Sequence, residues 1–462
     1  MPPSTTLKES VKLSQTGQTL IDQITNFDDK ALICKAREAV LRFEIDIEAV
    51  DSLAWLQQQT HPLKLFWADR EGEMQIAGVG AAHTLSGNHP INYQFIFAEI
   101  QRRLSAHQEN LRYFGGTCFD PRNYDSQWAD FGTYYFFIPR FEILKQQNRF
   151  IFACNIIRED FQGSRLPKIL EEIKTLVFSF KPRMTAQIHV EKNKNYPNAK
   201  QWLPIIAHEL KKIKEKSYMK VVLARKSVFQ FSTPVEPLDI LQRLQTVSQN
   251  CFHFYFQPKT GTAFVGASPE RLYRRERQGI KTEALAGTRP RGDTSQKDEN
   301  LKKELLNSQK EIHEHKVVVE QIHSVLAEIC TKITVDDKHS LLQLAGGHHL
   351  LTRMDGVLRP EVNDARILFV LHPTPAVAGW PTEKVLNIIR SHEPFARGYY
   401  AGPFGYVGWD VTEFAVAIRC GLIQKNTLSI YAGAGIVEGS TPEDEWKEIE
   451  NKMKVFLKAV TP

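Results

Sequence analysis

The chain has 462 residues, of which 24% are charged, and a formal net charge of +6 at pH 7. A hydrophobic content of 42% is enough for a sizeable core, which excludes a disordered or fibrous protein. The charges are interspersed without a basic stripe, and no apolar run approaches membrane-spanning length, so neither a nucleic-acid partner nor a membrane partner is expected.

The six cysteines are isolated from one another and form no Cys-x-x-Cys pair. This usage is typical of buried thiols in a reducing compartment and not of a zinc or disulfide framework. The polar start of the chain, MPPSTTLKESVKLSQ, has no apolar core and does not resemble a secretory signal. We therefore expect a soluble, cytoplasmic protein whose first segment, residues 1–30, is polar and loosely ordered.

Residues 31–195 form a predicted N-terminal region that is rich in strands. Alternation of apolar and polar residues favours strands, and residues 63–82 predict a hairpin that turns at Arg70–Gly72. Residues 93–106 and 166–180 predict helices. Because hairpins outnumber strand–helix–strand units, the pattern favours antiparallel sheets with helices on their faces over a doubly wound fold.

A second region, residues 196–462, carries nearly all of the notable motifs. It opens with an amphipathic helix within residues 196–218, which leads into a strand over residues 219–231. The charged stretch over residues 289–311 predicts a solvated loop that enters a helix, and residues 311–329 predict that helix.

Five features of this second region could carry chemistry. Lys220 opens an apolar strand, where a lysine is either an edge charge or an amine held near a cavity. Glu270 follows a Ser-Pro turn, and Glu314 lies by helical rotation on the rim of an apolar arc. The Gly287–Thr288 turn offers N–H groups and a hydroxyl to a carboxylate. Arg419 is predicted in an apolar strand, where a guanidinium is costly unless it is paired. Each feature alone also fits an ordinary structural role.

The last predicted helix lies within STPEDEWKEIENK. Thr441 is its predicted N-cap, with Asp444 able to reach back to it. Offsets of three and four residues place three side chains on one face of this helix, namely Glu445, Glu448 and Lys452. Such a face is either a solvated surface or part of a metal and carboxylate site.

Taken together, these features predict a polar pocket reached from several apolar strands. Two glutamates without histidine or cysteine partners favour Mg²⁺, which takes one or two protein carboxylates and keeps several waters. Lysine, arginine and glycine-turn donors suit a ligand with more than one carboxylate.

Seven stretches then occur in a fixed order, namely KVVLAR, GASPERL, TEALAGTRPRG, HEH, HPTPAVAG, IRC and YAGAGIVEGSTPEDEWKEIENK. They resemble the chorismate-utilising enzymes, which include isochorismate, salicylate, anthranilate and aminodeoxychorismate synthases. The resemblance covers roughly residues 196–460. It implies an α/β (α+β) fold like that of anthranilate synthase, a large layered fold of mostly antiparallel sheets with outer helices and a central substrate cleft.

The resemblance also implies which residues act on protons and which hold the metal. Lys220 would be the general base, and Glu270 the general acid. Glu314 and Glu448 would be the Mg²⁺ ligands, with Glu445 behind them.

The remaining implied roles concern the two carboxylates of chorismate. Lys452 and the Gly287–Thr288 turn would hold the ring carboxylate, whereas Arg419 and the backbone of Gly433 would hold the enolpyruvyl carboxylate. His349 would lie near the departing group.

These roles imply a Mg²⁺-dependent isochorismate synthase that is a monomer and serves a quinone (menaquinone or phylloquinone) or siderophore pathway. Lys220 would deprotonate a water that attacks C2, and Glu270 would protonate the C4 hydroxyl, so the base must be partly neutral and the acid protonated. Aminating relatives usually have glutamine at the lysine position. The alternatives are a salicylate synthase, an aminating subunit working with a glutaminase, and a catalytically silent binding protein.

Overall fold

The computed structural model describes residues 12–27, 38–105, 107–178 and 189–460. The strands up to residue 196 are β1 (Val40–Ile47), β2 (Lys64–Ala68), β3 (Met74–Gly87), β4 (Arg112–Thr117), β5 (Tyr134–Gln146), β6 (Arg149–Ile157) and β7 (Val190–Tyr196). The later strands are β8 (Lys220–Phe231), β9 (Phe252–Lys259), β10 (Thr262–Ser268), β11 (Arg271–Glu276), β12 (Gly279–Arg289), β13 (Cys330–Val335), β14 (Ser340–Leu344), β15 (Gly347–Leu358), β16 (Gly379–Trp380), β17 (Pro403–Gly408), β18 (Val411–Val416), β19 (Cys420–Gln424) and β20 (Thr427–Ile436).

The described helices are α1 (Leu13–Thr25), α2 (Ser52–Gln58), α3 (Tyr93–Gln101), α4 (Arg158–Gln162), α5 (Leu166–Thr175), α6 (Ala199–Lys214), α7 (Pro237–Val247), α8 (Ser295–Asn307), α9 (Gln309–Ile329), α10 (Asp364–Leu371), α11 (Thr382–His392) and α12 (Pro442–Val460). Within the described ranges, none of these helices is both long enough and apolar enough to cross a bilayer.

The strands pair antiparallel throughout the described ranges, and the sheet divides at β5. One arm, the β8 arm, runs β5–β3–β2–β9–β10–β19–β20–β8. The other, the β15 arm, runs β5–β4–β17–β18–β11–β12–β15. The arms pack through aromatic rings, since the Phe254 and Phe404 centroids lie 5.3 Å apart. The predicted layered, mostly antiparallel fold is therefore confirmed.

The predicted hairpin at residues 63–82 is present as β2 and β3, which pair from Lys64↔Val79 to Ala68↔Gln75. Its turn is closed by the carboxylate of Asp69, which accepts hydrogen bonds from the N–H groups of Glu73 and Met74 at 2.9 Å each. Gly72 has a φ of 76°, a left-handed conformation that glycine adopts without strain. Local chemistry alone therefore fixes this turn, which carries Arg70.

The prediction that residues 1–30 are loosely ordered is wrong for the part that helix α1 occupies. Leu20 and Ile24 are four residues apart and fully buried, and the helix packs against β1. This i, i+4 spacing places both side chains on one face, which outweighs the polar composition of the segment. Residues 1–11 and 28–37 lie outside the described residues.

The sheet continues across the predicted regional boundary near residue 196. Strand β2 pairs with β9, and β4 pairs with β17, so each arm contains strands from both sides of the boundary. Residue 196 marks the beginning of the region that carries the ordered motifs and not an end of the hydrogen-bonded sheet.

The stretch predicted as a solvated loop over residues 289–311 contains helix α8. The helix begins after Thr294, whose hydroxyl accepts a hydrogen bond from the N–H of Lys297 at 3.3 Å. Its sequence is rich in lysine, glutamate and leucine, which favour helix even in a solvated segment. Helix α9 follows and packs on β12 and β15, while α12 packs on β20 and against α6 and α7.

Candidate active site

A cavity lies between β12 and β15 on one arm and β8 and β20 on the other, with α9 and α12 beside it. Polar and apolar side chains both line it, as in a small-molecule site. Nine of the eleven residues predicted from the motifs line it, namely Glu270, Gly287, Thr288, Glu314, His349, Arg419, Gly433, Glu448 and Lys452. The two others, Lys220 and Glu445, contact this wall or lie one helical turn away from it.

Lys220 is fully buried at the first position of β8. Its Nζ lies 2.9 Å from Oε1 of Glu314, which projects from α9. Burial raises the pKa of Glu314, but the charge and hydrogen bond of Lys220, together with the charges of Lys452 and Lys310, leave that pKa below its ordinary value. The lysine is therefore an amine held at a cavity wall and not an edge charge that reaches solvent.

Gly435 makes the contact between Lys220 and Glu314 possible, and the sequence did not single it out. A Cβ at this position would lie 2.3 Å from Oε1 of Glu314 and 2.9 Å from Cε of Lys220. Gly435 is held in β20, opposite Val222 of β8. Its signal in the sequence is the alternation of Gly433 and Gly435 on one face of a strand.

Glu270 lies in the short link between β10 and β11 and is only 3% exposed. Burial raises the pKa of Glu270 to about 8, and the nearby Glu283 carboxylate adds to this effect, while Lys220 and Lys452 oppose it. Within the described residues, no side chain hydrogen-bonds to its carboxyl group. Glu270 is therefore protonated at neutral pH and can donate a proton into the cavity.

The Gly287–Thr288 turn forms a bulge in β12, where Gly287 has a φ of 79°. The hydroxyl of Thr288 lies 3.0 Å from Nδ1 of His349, its partner across the strands. The N–H of Thr288, however, donates to Oε2 of Glu311 at 2.9 Å. The turn lines the cavity as predicted, but this N–H group is already occupied by a carboxylate of the protein, which the sequence did not indicate.

His349 is a neutral imidazole in this site. Burial lowers its pKa well below the ordinary value, and the charges of Arg419 and Lys452 lower it further. Its Nε2 lies 3.5 Å from Nη2 of Arg419. A neutral ring held between Thr288 and a guanidinium can accept or donate a hydrogen bond near a ligand but does not add a positive charge.

The prediction that Arg419 lies in a strand is wrong. The chain turns between β18 and β19, and Arg419 occupies the turn with a φ of 52°. Among the described residues, no carboxylate lies within 4.0 Å of its guanidinium, which contacts His349 and the carbonyl of Lys452. A half-buried guanidinium without a protein counter-charge suits an anionic ligand.

Helix α12 begins as predicted, since Thr441 Oγ1 accepts the N–H of Asp444 at 3.2 Å and donates to its carboxylate at 2.8 Å. About two turns after Asp444, Lys452 pairs with Glu448 at 2.6 Å and donates to the carbonyl of Gly433 at 2.9 Å. Lys452 thus fixes the helix to β20 at the cavity wall.

Glu445 is fully buried on the same face of α12 and pairs with Lys310 of α9 at 2.7 Å. Burial, and then the charge of Glu448, raise its pKa to about 7. Lys310 lies outside the motifs, and only its contact with Glu445 between the two helices shows its role.

Glu314 on α9 and Glu448 on α12 are the residues that could hold a divalent cation. Burial and the charge of Glu314 raise the pKa of Glu311, so negative charge is crowded between the helices. Glu314 and Glu448 both line the cavity. Within the described ranges, no three or more His, Cys, Asp or Glu side chains cluster closely enough to form a complete metal site. Two carboxylates without softer donors are what Mg²⁺ takes when waters and a ligand complete its shell.

Comparisons with known proteins agree with this site. The profile of the family described as "Chorismate binding enzyme" matches residues 28–461. The chain is 33% identical over 454 residues to isochorismate synthase MenF of Bacillus subtilis, covering 92% of this chain and 95% of that protein. It is 32% identical over 454 residues to isochorismate synthase 2, chloroplastic, of Arabidopsis thaliana, covering 91% and 80%.

Solved structures give the same result. The structure of MenF, the menaquinone-specific isochorismate synthase from Escherichia coli, superposes with a TM-score of 0.85 at 29% identity, covering 97% of this chain and 99% of that one. Anthranilate synthase component I from Streptococcus pneumoniae, at 18% identity and a TM-score of 0.66 over 94% and 96% of the two chains, shares the fold. With the motif residues gathered in one cavity and the family profile spanning nearly the whole chain, the protein belongs to the chorismate binding enzymes.

Proposed function

We propose that this chain is an isochorismate synthase, which adds water at C2 of chorismate and releases the C4 hydroxyl. The observation that carries the proposal is the buried lysine Lys220 at the wall of a cavity that also contains a protonated carboxyl group, Glu270. An amine and a carboxylic acid in one site can remove one proton and supply another. The relatives reported above are named isochorismate synthases, which supports the same reaction.

In this reaction the neutral amine form of Lys220 accepts a proton from the attacking water, and Glu270 donates its proton to the departing hydroxyl. One water enters at C2 and one leaves at C4, and the double bonds of the ring shift between them. After one turnover the lysine has gained a proton and the carboxyl group has lost one. Both return to their starting states by exchange with solvent.

The donors around the cavity suit the two carboxylates of chorismate. Arg419 has no carboxylate partner among the described residues, so it is available for the enolpyruvyl carboxylate. Lys452 is placed beside Glu448 and the Gly287–Thr288 turn, where it can hold the ring carboxylate. His349 lies between these groups and stays neutral.

We further propose that Glu314 and Glu448 hold Mg²⁺, with Glu445 supporting Glu448 from the preceding turn. Bound by these residues, Mg²⁺ would supply Lewis-acid stabilisation of negative charge on the substrate. Glu445 is kept in place by Lys310, so it does not compete for the cavity.

The proposal includes a monomer that acts in the cytoplasm and supplies a quinone or siderophore pathway. The five cysteines in the described ranges are free and buried, which agrees with a reducing compartment. Sedimentation of the purified protein and fractionation of its source cells test these two points. The name of the Escherichia coli relative, menaquinone-specific, favours the quinone pathway.

The test is incubation of the pure protein with chorismate, with Mg²⁺ or with a chelator, and identification of products by chromatography with mass detection. Isochorismate alone, formed only with Mg²⁺, supports the proposal. Salicylate with pyruvate would assign the chain to the salicylate branch, and a product that requires ammonia would refute the argument from Lys220. No product would favour a binding protein. Lys226→Ala, on the same strand but outside the cavity, is the control for Lys220→Ala.

A further inference from the structure

Two side chains outside the cavity hold the backbone on either side of Glu270. Nη1 of Arg70 donates to the carbonyl of Pro269 at 2.8 Å. Oε1 of Glu283 accepts the N–H of Arg271 at 2.9 Å. The residues directly before and after Glu270 are therefore each fixed by a hydrogen bond to a charged group, and such bonds are among the stronger ones in proteins.

Arg70 and Glu283 are also bound to each other. Their two hydrogen bonds, Nη1 to Oε1 at 2.6 Å and Nη2 to Oε2 at 2.9 Å, form a bidentate pair. The side chains are 9% and 2% exposed, so water does not screen the pair. The guanidinium of Arg70 also lies 5.6 Å from the ring centroid of Phe252, which limits its movement further.

The two partners come from different parts of the chain. Glu283 belongs to β12 of the motif region, whereas Arg70 lies in the β2–β3 turn of the N-terminal region. Asp69 fixes that turn through the N–H groups of Glu73 and Met74. A turn of the N-terminal region thereby reaches the segment that carries the proposed acid.

We propose that the Arg70–Glu283 pair positions the carboxyl group of Glu270, so that the N-terminal hairpin takes part in the acid step. The inference rests on the proposed role of Glu270 as the acid. It gives the N-terminal region a task that the motifs do not suggest, since Arg70 lies outside all of them.

The charge of Glu283 gives a second way to observe this role. The groups that bear on the Glu270 carboxyl are Glu283 from β12, Lys220 from β8 and Lys452 from α12. Burial raises the pKa of Glu270 most, Glu283 raises it further, and the two lysines lower it. A neutral residue in place of Glu283 therefore lowers the pKa of Glu270 and reduces its protonated fraction at neutral pH.

Turnover of chorismate by the wild type is measured first, and this measurement tests the proposed function separately. The first experiment on the pair then compares Arg70→Lys with the wild type. Lysine keeps the charge but loses the bidentate fork, so kcat should fall about tenfold while KM changes less than about twofold. The matched control is Arg275→Lys on β11, whose guanidinium makes a comparable buried pair with Asp364 at 2.8 and 2.9 Å. Wild-type kcat in Arg70→Lys, or an equal loss in the control, would overturn the proposal.

The second experiment is the pH profile of kcat/KM for Glu283→Gln, with circular dichroism to verify folding. The alkaline limb should move to lower pH by about one unit, because the acid loses its proton more readily without the neighbouring charge. Arg70→Lys should leave that limb in place. General damage to the fold would lower activity equally at every pH, and an unmoved limb in Glu283→Gln would refute the electrostatic part of the inference.

Discussion

Replacement of Gly435 by alanine should remove most of the activity while the protein stays folded. The added Cβ would lie 2.3 Å from Oε1 of Glu314 and 2.9 Å from Cε of Lys220. Strand β20 cannot move away from Glu314 to relieve this contact, because Gly435 is paired with Val222 inside the sheet. Ordinary contact begins at 3.4 Å, so the carboxylate must move by about 1 Å.

Such a displacement acts on a proposed Mg²⁺ ligand and on the group that holds the proposed base. A misplacement of about 1 Å at a catalytic centre costs about 100-fold in rate, so we expect kcat/KM of Gly435→Ala to fall by about that factor. Overpacking costs about 1–3 kcal/mol of stability, and here it is at the lower end because the ends of flexible side chains take up the strain. The Mg²⁺ concentration for half-maximal activity should rise.

The assay is steady-state formation of isochorismate over a Mg²⁺ titration, with thermal unfolding measured on the same samples. Gly421→Ala is the control, since its Cβ would lie 2.7 Å from Leu428 Cδ1 and 3.1 Å from Phe456 Cζ, away from the cavity. The control should lose stability and keep its kcat. A folded Gly435→Ala with kcat/KM within about threefold of the wild type would refute the reasoning, because the predicted 1 Å displacement requires a larger loss.

Four further predictions concern the remaining site residues. Because Glu270 must be protonated to act and burial raises its pKa to about 8, kcat/KM should fall as the pH rises through about 8; a flat profile would contradict this. The folded chain holds that proton more tightly than the unfolded chain, so the wild type loses stability as the pH rises from about 4.5 to about 8. The variant Glu270→Gln avoids this loss. It should therefore unfold at a higher temperature than the wild type at about pH 9 but not at about pH 5. Lys220→Ala should lower kcat by at least about 100-fold with the far-UV spectrum intact, and near-normal turnover would disprove its role as base. Arg419→Lys should raise KM for chorismate about tenfold, because lysine cannot make a bidentate contact with a carboxylate; an unchanged KM would exclude that contact.

Local chemistry made much of the fold predictable. The β2–β3 hairpin follows from alternating residues around a turn, and the start of α12 follows from Thr441 and Asp444. The division of the sheet at β5 does not follow from any local pattern. Pairings such as β2 with β9 join segments nearly 190 residues apart in the sequence, and packing between the arms selects them.

The site was predictable where a motif carries the reacting group and not where a contact between distant elements gives a residue its role. Lys310 and Arg70 lie in stretches that are typical of solvated helix and turn, and only their contacts with Glu445 and Pro269 show what they hold. Arg419 was assigned to a strand because its neighbours are apolar. A left-handed turn at an arginine has no signal comparable to that of a glycine.

The pairing of strands from both regions in one sheet also limits how this protein can be divided or recombined. A fragment that begins at residue 196 would lack β2 and β4, and the edges of β9 and β17 would be open. Open strand edges pair with other chains, so such a fragment would aggregate before it could bind a ligand. Gene fusion or domain exchange in this architecture must therefore preserve β2 and β4 together with the motifs, although these strands lie outside the motifs.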